Sequence, residues 1–508
     1  MSSSNLARWR NGVQYTRMEQ PRGPSPLPAA FWRELRAALP ADGLLRKPGD
    51  LGAYECDGLT VYKARPLAVA LPRTRAQVGA VLRVCNRYTV PVVARGAGTS
   101  LSGGALPRTD GIVLSLARLN RILTIDPENR TARLEPGVRN IAVSEAAAAH
   151  GLFYAPDPSS QIACTIGGNV AENAGGVHCL KYGLTVHNVL SVRMFTSDGV
   201  LHELGGPTAE GPLDLLALVI GSEGLLGVVV EITVQLKPRP QAVVALLAAF
   251  RSLEQAAGAV SAVIAAGIVP AGLELMDHLA IQAAGAYTGQ HYPPGTEAVV
   301  LAEVDGDDQT CAMEHAHLRA ILDRQGAFAI DEARSEEERR RLWAGRKSAF
   351  PAVGRLAPDY YCMDGTIPRR ALVEVLAGIA ALSGQYGLPV ANVFHAGDGN
   401  LHPLILYDAR RPGELARVEQ LGGDILKLCL AHGGTISGEH GVGVEKLDGM
   451  CAQFTPAELV AFHALKAAFD PYELLNRGKA IPTPARCVEP GGMHVHGGHM
   501  PFGHLERY

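Results

Sequence analysis

Residues 91–104 read Pro91-Val-Val-Ala-Arg-Gly-Ala-Gly-Thr-Ser-Leu-Ser-Gly-Gly104, a short apolar run followed by a loop rich in glycine. The small and β-branched residues up to Arg95 predict a buried strand. The glycines that follow let the backbone turn tightly and come close to a ligand. Successive free N–H groups in such a loop form a concave anion site, and the hydroxyl groups of Thr99 and Ser100 add donors. The stretch therefore predicts a strand that leads into a cradle able to hold a diphosphate.

Two common phosphate-binding motifs do not match this loop. A dinucleotide-binding crossover needs G-x-G-x-x-G at the start of a helix, but the third position after Gly98 is Leu101. The lysine and hydroxyl residue of a Walker loop do not follow either. A glycine-rich turn without any ligand is also consistent with these residues alone.

Composition narrows the classes of function. With 508 residues, 47% of them apolar, the chain is long enough for two or three domains with their own cores. The formal net charge of −3 argues against a nucleic-acid partner. The chain has nine cysteines, an odd number, and no C-x-x-C motif. This pattern favours reduced thiols over a disulfide framework. It also indicates that the chain does not bind an iron–sulfur cluster of its own. Without a secretory signal or a run of about 18 apolar residues, we expect a cytoplasmic protein that meets a membrane only through partners.

The order of predicted elements favours an α+β fold, because helices alternate with strands and hairpins. Before the proline-rich break at residues 237–240, the pattern predicts strands at 67–71, 90–94 and 112–116, a helix at 75–88 and a hairpin at 122–135. Beyond the break, two similar strand–helix–strand units at 242–276 and 298–330 predict a second sheet with helices on one face.

Three further stretches follow the first loop in a fixed order: Tyr154–Ser160, the glycine-rich Thr165–Gly176, and Ile220–Leu236. Together with residues 91–104 they resemble the flavin-binding domain of the vanillyl-alcohol oxidase superfamily, also called the PCMH type, in which FAD lies between two α+β subdomains. From about residue 45 to the C-terminus, the chain is similar to the branch that contains D-2-hydroxyacid dehydrogenases and the flavin subunits of bacterial glycolate oxidases.

The resemblance implies a division into four segments. These are a leader and helix at 1–45, a two-subdomain PCMH-type FAD-binding domain at 46–240, an α+β substrate domain with an antiparallel sheet at 241–465, and a segment at 466–508 that returns to the FAD domain. In this last segment Arg477 replaces the usual proline of the family's closing motif.

The resemblance also implies which residues contact FAD. They are Arg95, Gly96, Ala97, Gly98, Thr99, Ser100, Gly103, Pro156, Asp157, Ser160, Gly167, Gly168, Asn169, Ala171, Gly224, Val229 and Asn476. Superfamily members that tether FAD through the phosphate loop use a histidine where this chain has Thr99. A non-covalent FAD is therefore expected.

Two glycine-rich stretches carry the residues that predict chemistry. His395 and His402 lie on two β-like arms around a Gly-Asp-Gly-Asn turn, and hairpin closure brings such arms together. Glu439 and His440 lie in a second loop, at 433–443. Two histidines and a carboxylate form the ligand set of a divalent metal with an open coordination position. A lone hairpin histidine is more often structural, but this grouping favours a site.

The resembling dehydrogenases imply a role for each of these residues. His395, His402 and Glu439 would bind a divalent metal (Zn, Mn or Fe), and His440 would act as the base. Arg346 matches the arginine that binds the substrate carboxylate, with Lys347 as its nearest alternative. Chemistry supports these roles, because a neutral imidazole accepts a hydroxyl proton near neutral pH and a cation stabilises the alkoxide.

Two departures from the dehydrogenases concern substrate size. Cys362 stands where the relatives have a lysine near the substrate, and Leu404 stands where an asparagine follows the second metal histidine. Both changes remove polar groups that would hold a larger or dicarboxylic acid. We therefore expect a small 2-hydroxy acid, such as glycolate or D-lactate.

The resemblance as a whole implies FAD-dependent oxidation of glycolate to glyoxylate within a multi-subunit complex at the inner membrane. Because this chain has no cluster ligands, its electrons would pass to partners: a second flavin-domain subunit and an iron–sulfur subunit. Three alternatives remain: a self-sufficient D-lactate dehydrogenase, a flavin-dependent transferase of the alkylglycerone-phosphate synthase kind, and a non-catalytic FAD relay subunit. The histidine-rich tail at 493–504 matches no ligand spacing and favours a surface or partner-binding segment.

Overall fold

The computed structural model describes residues 27–206, 213–333 and 335–487. The polar leader up to residue 26 and the histidine-rich tail lie outside the described residues. Within them the protein has three main sheets, and the first carries the glycine-rich loop.

The first sheet contains four strands in the order β1-β2-β4-β3. β2, β4 and β3 are parallel, and β1 joins them antiparallel. Every residue of β2 and β4 is buried, and Phe31 and Leu35 pack in the same core as α3. The elements are α1 (Ala29–Ala37), β1 (Leu44–Leu45), α2 (Pro48–Leu51), β2 (Ala68–Ala70), α3 (Arg75–Arg87), β3 (Val92–Arg95) and β4 (Ile112–Ser115).

The second sheet contains five antiparallel strands in the order β5-β6-β10-β8-β9. β5 and β6 form the hairpin predicted at 122–135, which the pairing confirms. The elements of this part are β5 (Ile122–Asp126), β6 (Thr131–Leu134), α4 (Asn140–Ala147), β7 (Leu152–Phe153), α5 (Ile166–Glu172), α6 (Cys179–Tyr182), α7 (Thr185–Asn188), β8 (Val189–Phe195), β9 (Leu201–Gly205), α8 (Leu215–Val219), β10 (Val228–Gln235) and β11 (Lys237–Pro238).

The third sheet is antiparallel and has seven strands, in the order β15-β12-β14-β13-β18-β20-β16. We call this part of the chain the cap domain. Its elements are β12 (Ala242–Phe250), α9 (Leu253–Ala265), β13 (Gly272–Asp277), α10 (His278–Thr288), β14 (Ala298–Gly306), α11 (Asp308–Arg324), β15 (Ala329–Glu332), α12 (Glu336–Val353), β16 (Asp359–Cys362), β17 (Gly365–Thr366), α13 (Leu372–Tyr386), β18 (Val390–Phe394), β19 (Asn400–Leu401), β20 (Pro403–Tyr407) and α14 (Glu414–Ala431). The α+β class and the antiparallel cap sheet are confirmed.

Helices cover both faces of the cap sheet, so the expectation of helices on one face is wrong. Leu246, Ala248 and Phe250 of β12 pack into the core that α9, α11, α13 and α14 share. The alternating residues Ala245, Leu247 and Ala249 pack into a second core with α10 and α12. Because successive side chains of a strand point to opposite faces, a strand that is apolar throughout needs cover on both sides.

The chain finally returns to the first sheet. After α15 (Leu447–Gln453) and α16 (Pro456–Phe469), the backbone of Val92 in β3 accepts from Asn476 at 3.0 Å and donates to Leu474 at 2.8 Å. This contact places Asn476 against the strand that leads into the glycine-rich loop.

One pair of cysteines corrects the expectation that all thiols are reduced. Cys451 of α15 and Cys487 of α17 (Pro484–Cys487) form a disulfide with a Cα–Cα distance of 5.3 Å. The two residues are 36 positions apart, and the folding of the C-terminal segment brings them together. The other seven cysteines are free. No helix in the described ranges has the length and apolar character that a membrane span requires.

Candidate active site

A cavity of about 510 Å³ lies among the glycine-rich stretches. Of the seventeen residues predicted to contact FAD, these line it: Arg95, Gly96, Ala97, Gly98, Thr99, Ser100, Ser160, Gly167, Gly168, Asn169, Ala171, Gly224, Val229 and Asn476. Phe350 and His402 of the cap domain, and Glu439 and His440 of the loop after α14, line the same wall. The cavity therefore joins the predicted flavin loops to the predicted chemical groups.

Three of the predicted FAD residues do not line the cavity. Gly103 has a φ of +80°, and a side chain there would meet Val444. The carbonyl of Pro156 accepts a hydrogen bond of 2.9 Å from Asn140. The carboxylate of Asp157 is paired with His178 at 2.7 Å. These residues shape the loops around the cavity.

The first glycine loop lies directly against the second. A side chain at Gly96 would collide with the hydroxyl group of Thr165, which caps α5 by accepting from Gly168 at 3.3 Å. Gly98 has a φ of +73°, in the region that favours glycine. Glycine at these positions lets the two loops approach each other and leaves backbone at the cavity wall.

Two buried carboxyl groups in the cavity wall were missed by the sequence reasoning. Glu223 accepts hydrogen bonds from the backbone of Val442 at 2.6 Å and of Gly443 at 2.7 Å. Burial and the nearby Glu223 raise the pKa of Glu172 well above its usual value. Both acids lie inside the quoted glycine-rich stretches. In each stretch the sequence shows a single glutamate among small residues. Such a glutamate can contact a ligand or can hydrogen-bond a neighbouring loop, and the sequence alone does not distinguish the two.

His395, His402 and Glu439 converge on one point. The Nε2 atom of His395 lies 3.3 Å from Glu439 Oε1, and the Nε2 atom of His402 lies 3.0 Å from the same oxygen. All three side chains offer ligand atoms within 4.8 Å of one another. The pairing of β18 with β20 produces this convergence, as the predicted hairpin requires.

This group fits a divalent cation. Nδ1 of His395 lies 2.9 Å from Glu274, so a neutral His395 would turn its Nε2 lone pair towards the carboxylate of Glu439. The Nε2 lone pair of a neutral His395 and the carboxylate oxygen of Glu439 are both hydrogen-bond acceptors. At 3.3 Å from each other they need a positive charge between them. Burial opposes both changes, but Glu274 and then Glu439 raise the pKa of the His395 imidazole, and His395 and His402 lower the pKa of the Glu439 carboxyl. Two imidazoles and one carboxylate are ligands that a divalent metal accepts.

Arg346 lies behind this group, where it forms a buried ion pair with Glu274. Its Nη2 lies 2.6 Å and its Nε 2.7 Å from Glu274 Oε2, and its Nη2 lies 3.5 Å from His395. It does not line the cavity, and the contacts with Glu274 and His395 use its Nε and Nη2 atoms. Its alternative, Lys347, is exposed. The structure thus brings Arg346 to the cluster through Glu274, a polar residue inside an apolar strand that sequence reasoning passed over.

Asp364 fixes the loop that carries His440. Its carboxylate accepts from the backbone of Gly438 at 3.1 Å, of Glu439 at 3.2 Å and of His440 at 2.9 Å. It also pairs with the buried Lys446 at 3.0 Å. One carboxylate therefore holds three consecutive amides of the loop.

The ring of His440 stacks on that of His402, with centroids 4.9 Å apart and planes at 5°. Burial lowers the pKa of His440 to about 4, so the imidazole is neutral at neutral pH. Its Nε2 lies 4.0 Å from Glu439 Oε1, next to the group that fits a cation. A neutral imidazole in the wall of a cavity can accept a proton from a bound ligand.

Comparison with known proteins matches both halves of the chain to flavoprotein families. Residues 66–205 match the FAD binding domain, and residues 239–480 match the C-terminal domain of FAD linked oxidases. Substrate-bound p-cresol methylhydroxylase has a similar fold, with a TM-score of 0.76 and 18% identity over 90% of this chain and 98% of that one. Alkyldihydroxyacetonephosphate synthase gives a TM-score of 0.72 and 18% identity over 90% and 87%. Fold and matched domains define the class, FAD-linked flavoproteins of the PCMH type.

More similar sequences narrow this class. The glycolate oxidase subunit GlcD of Escherichia coli K12 is 58% identical over 475 residues, which cover 93% of this chain and 95% of the relative. Its namesake in Bacillus subtilis is 39% identical over 85% and 93% of the two chains. A D-lactate dehydrogenase of Archaeoglobus fulgidus is 33% identical over 82% and 92%. The chain therefore belongs to the family of FAD-linked oxidases that includes these glycolate oxidase subunits.

Proposed function

We propose that this chain oxidises glycolate to glyoxylate as the FAD-dependent flavin subunit of a multi-subunit glycolate oxidase. The observation that carries the proposal is the position of the His440 imidazole, beside His395, His402 and Glu439 in the wall of the cavity that the predicted flavin loops form. The similarity to two glycolate oxidase subunits supports the choice of substrate.

Different residues of the chain have different roles in the proposed reaction. His440 Nε2 accepts the proton of the substrate hydroxyl group. His395, His402 and Glu439 would hold a divalent cation, whose chemistry would be the stabilisation of negative charge on the substrate oxygen. The loops at 95–100 and 167–171 would hold FAD, which would supply the acceptor for the two electrons that leave the α-carbon. Phe350, whose ring lies 6.0 Å from that of His402, gives the cavity an apolar wall.

The arginine predicted to bind the substrate carboxylate keeps that role in the proposal, through the one nitrogen that Glu274 does not hold. Cys362 and Leu404 are buried beside the two histidine strands, where longer polar side chains would reach a larger acid. Their small or apolar character supports a small substrate. Comparable activity on D-2-hydroxyglutarate would contradict this part of the proposal.

FAD is held without a covalent bond in this proposal, because Thr99 occupies the loop position at which a histidine would form one. The word "subunit" in the relatives' names supports an assembly. The partners we propose are a second flavin-domain subunit and an iron–sulfur subunit, through which the chain would meet the inner membrane. Copurification of the chain with these two partners, from cells that express all three, tests this part.

Anaerobic flavin bleaching of the purified, FAD-loaded chain tests the core of the proposal. Glycolate should bleach the flavin rapidly, and treatment with a chelator should slow bleaching until a divalent cation is restored. Bound FAD that glycolate never bleaches, with or without partner subunits, would contradict the proposal and favour a non-catalytic relay.

A D-lactate dehydrogenase is the second candidate, supported by the relative at 33% identity. Bleaching by D-lactate with a clearly higher kcat/KM than by glycolate would favour it. Only the similarity of the fold to that of alkyldihydroxyacetonephosphate synthase, which is 18% identical in sequence, supports the transferase alternative.

A further inference from the structure

Glu172, the last residue of α5, lines the cavity but has no part in the proposed reaction. It follows Ala171, a predicted FAD contact that lines the same cavity. A side chain at Gly104, at the end of the first glycine-rich stretch, would meet Glu172 Oε1 at 2.8 Å. The carboxyl group of Glu172 therefore lies between the two glycine-rich stretches that would hold FAD.

The second oxygen of this carboxyl group faces the loop that carries His440. A Cβ atom at Gly441 would collide both with Glu172 Oε2 and with the carboxyl group of Glu223. Glu223 is satisfied, because it accepts hydrogen bonds from two backbone amides of that loop, at 2.6 Å and 2.7 Å. Two carboxyl groups thus border one small space, and among the described residues only Glu223 receives donors there.

The cations near Glu172 are engaged elsewhere. Lys479 donates to two backbone carbonyls, at 2.6 Å and 2.7 Å, and Lys446 pairs with Asp364 at 3.0 Å. Neighbouring carboxyl groups in a buried site do not both ionise, and the one without donors keeps its proton. In agreement with this, burial and then the charge of Glu223 raise the pKa of Glu172. Glu172 is therefore the neutral member of the pair.

A neutral carboxyl group carries a proton that it can donate, and Glu172 has no acceptor for it within the described residues. Its Oε2 atom is buried against Gly441 and has no hydrogen-bond partner. The Oε1 atom, beside the first glycine-rich stretch, is the one left to face the cavity. Because an unpaired buried polar group is costly, this carboxyl group needs a partner from outside the protein.

FAD is a ligand with the acceptors that this group needs. The chain matches the FAD binding domain over residues 66–205, which include Glu172. Carbonyl oxygens, ring nitrogens and phosphate oxygens of FAD all accept hydrogen bonds. An ionised carboxylate has no proton to donate and would repel the phosphates.

We infer that Glu172 is a further FAD-binding residue, which stays protonated beside Glu223 and donates a hydrogen bond to an acceptor atom of bound FAD. The two glutamates then have separate roles. Glu223 is the charged one and holds the backbone after His440, whereas Glu172 is the neutral one and faces the cofactor. This inference rests on FAD as the cofactor of the proposed function, and not on glycolate as its substrate.

FAD affinity of the full chain, stripped of cofactor and titrated with FAD at neutral pH, tests the inference without any activity. Flavin fluorescence follows the binding. Glu172→Gln, which is neutral and keeps a donor, should bind FAD as tightly as wild type. Glu172→Met, which has a similar length but no donor, should bind about 3–10-fold more weakly, the usual effect of one hydrogen bond.

Glu445→Met is the matched control, because Glu445 is a carboxyl group with two buried, unpartnered oxygens that does not line the cavity. Its FAD affinity should equal that of wild type. Circular dichroism checks that each variant is folded, and Glu172→Leu serves if the methionine variant is not.

A folded variant without a donor at position 172 that binds FAD as tightly as wild type would overturn the inference. Tighter binding by Glu172→Gln than by wild type would also overturn it, since the wild-type group would then be ionised. The proposed function fails differently. If FAD affinity falls as expected in Glu172→Met but glycolate never bleaches the bound flavin, the proposed function is contradicted and the role of Glu172 stands.

Discussion

His440 combines three properties that a proton acceptor needs. Its imidazole is neutral because burial lowers its pKa to about 4, it lines the flavin cavity, and its backbone is fixed by Asp364. His402 and His395 lack this combination, since their Nε2 atoms face Glu439. Of the three histidines, His440 is therefore the one to which we assign the proposed role of base.

Replacing His440 by asparagine should slow flavin reduction by glycolate about 10²–10⁴-fold, the usual contribution of a positioned acid or base. FAD content should not change, because the loops at 95–100 and 167–171 remain. Stopped-flow flavin absorbance under anaerobic conditions measures the rate. His432→Asn, at the half-buried end of α14, is the matched control. A reduction rate close to wild type in His440→Asn would remove the assigned role.

Glu274 acts through its neighbours, as it orients His395 and neutralises Arg346. Glu274→Gln should lower affinity for the proposed divalent cation by about 10–100-fold, the typical effect of losing a hydrogen-bond partner of a metal ligand. It should also destabilise the fold by about 3–5 kcal/mol, because Arg346 stays buried without its counter-charge. Metal content after dialysis and denaturant unfolding check the two effects. The exposed Glu297→Gln should change neither, and unaltered metal retention in Glu274→Gln would contradict this role.

Elements were predicted well where their signals are local. The strand that ends at Arg95, the hairpin at 122–135 and the two histidine arms follow from apolar alternation and from turn residues, which act over a few positions. The helices on both faces of the cap sheet and the Cys451–Cys487 bond depend on which elements meet in space. The partners of Glu274 and Asp364 likewise lie on distant elements, so no local pattern identified them.

The loop that bears Glu439 and His440 behaves as an element held by one carboxylate. Asp364→Asn should destabilise the protein by about 3–5 kcal/mol, because the buried Lys446 loses its counter-charge. It should lower kcat for glycolate more than it raises KM, since the displaced group is the proposed base, His440. Thermal unfolding and steady-state kinetics with an artificial acceptor measure both. Asp331→Asn, on an exposed carboxylate, is the control, and a variant with wild-type kcat would show that the loop needs no such support.

For the whole molecule, the junction between the FAD part and the cap domain matters most, because the cavity draws on both. His178 spans this junction: its Nδ1 lies 2.7 Å from Asp157 and its Nε2 3.3 Å from Glu303 of β14. Tyr182 donates to Asp305 of the same strand, and Arg339 also pairs with Glu303. These contacts of His178, Tyr182 and Arg339 with Asp157, Glu303 and Asp305, which we call the latch, join the segment after the second flavin loop to the cap sheet.

Because of the latch, the free energy of unfolding should decrease as the pH becomes alkaline. Burial lowers the pKa of His178, but Asp157 and Glu303 outweigh it and raise the pKa to about 10, from 6.5 in the unfolded chain. Its contribution is therefore complete below pH 6.5 and is lost as the pH rises towards 10. His178→Gln should cost about 3 kcal/mol at pH 6, by leaving two carboxylates without their cation, and this cost should shrink steadily up to pH 10. Urea unfolding of wild type, His178→Gln and the exposed control His150→Gln at each pH measures it. A cost that stays constant or grows with pH would show that His178 is neutral in the folded protein and that shape, not charge, holds the two parts together.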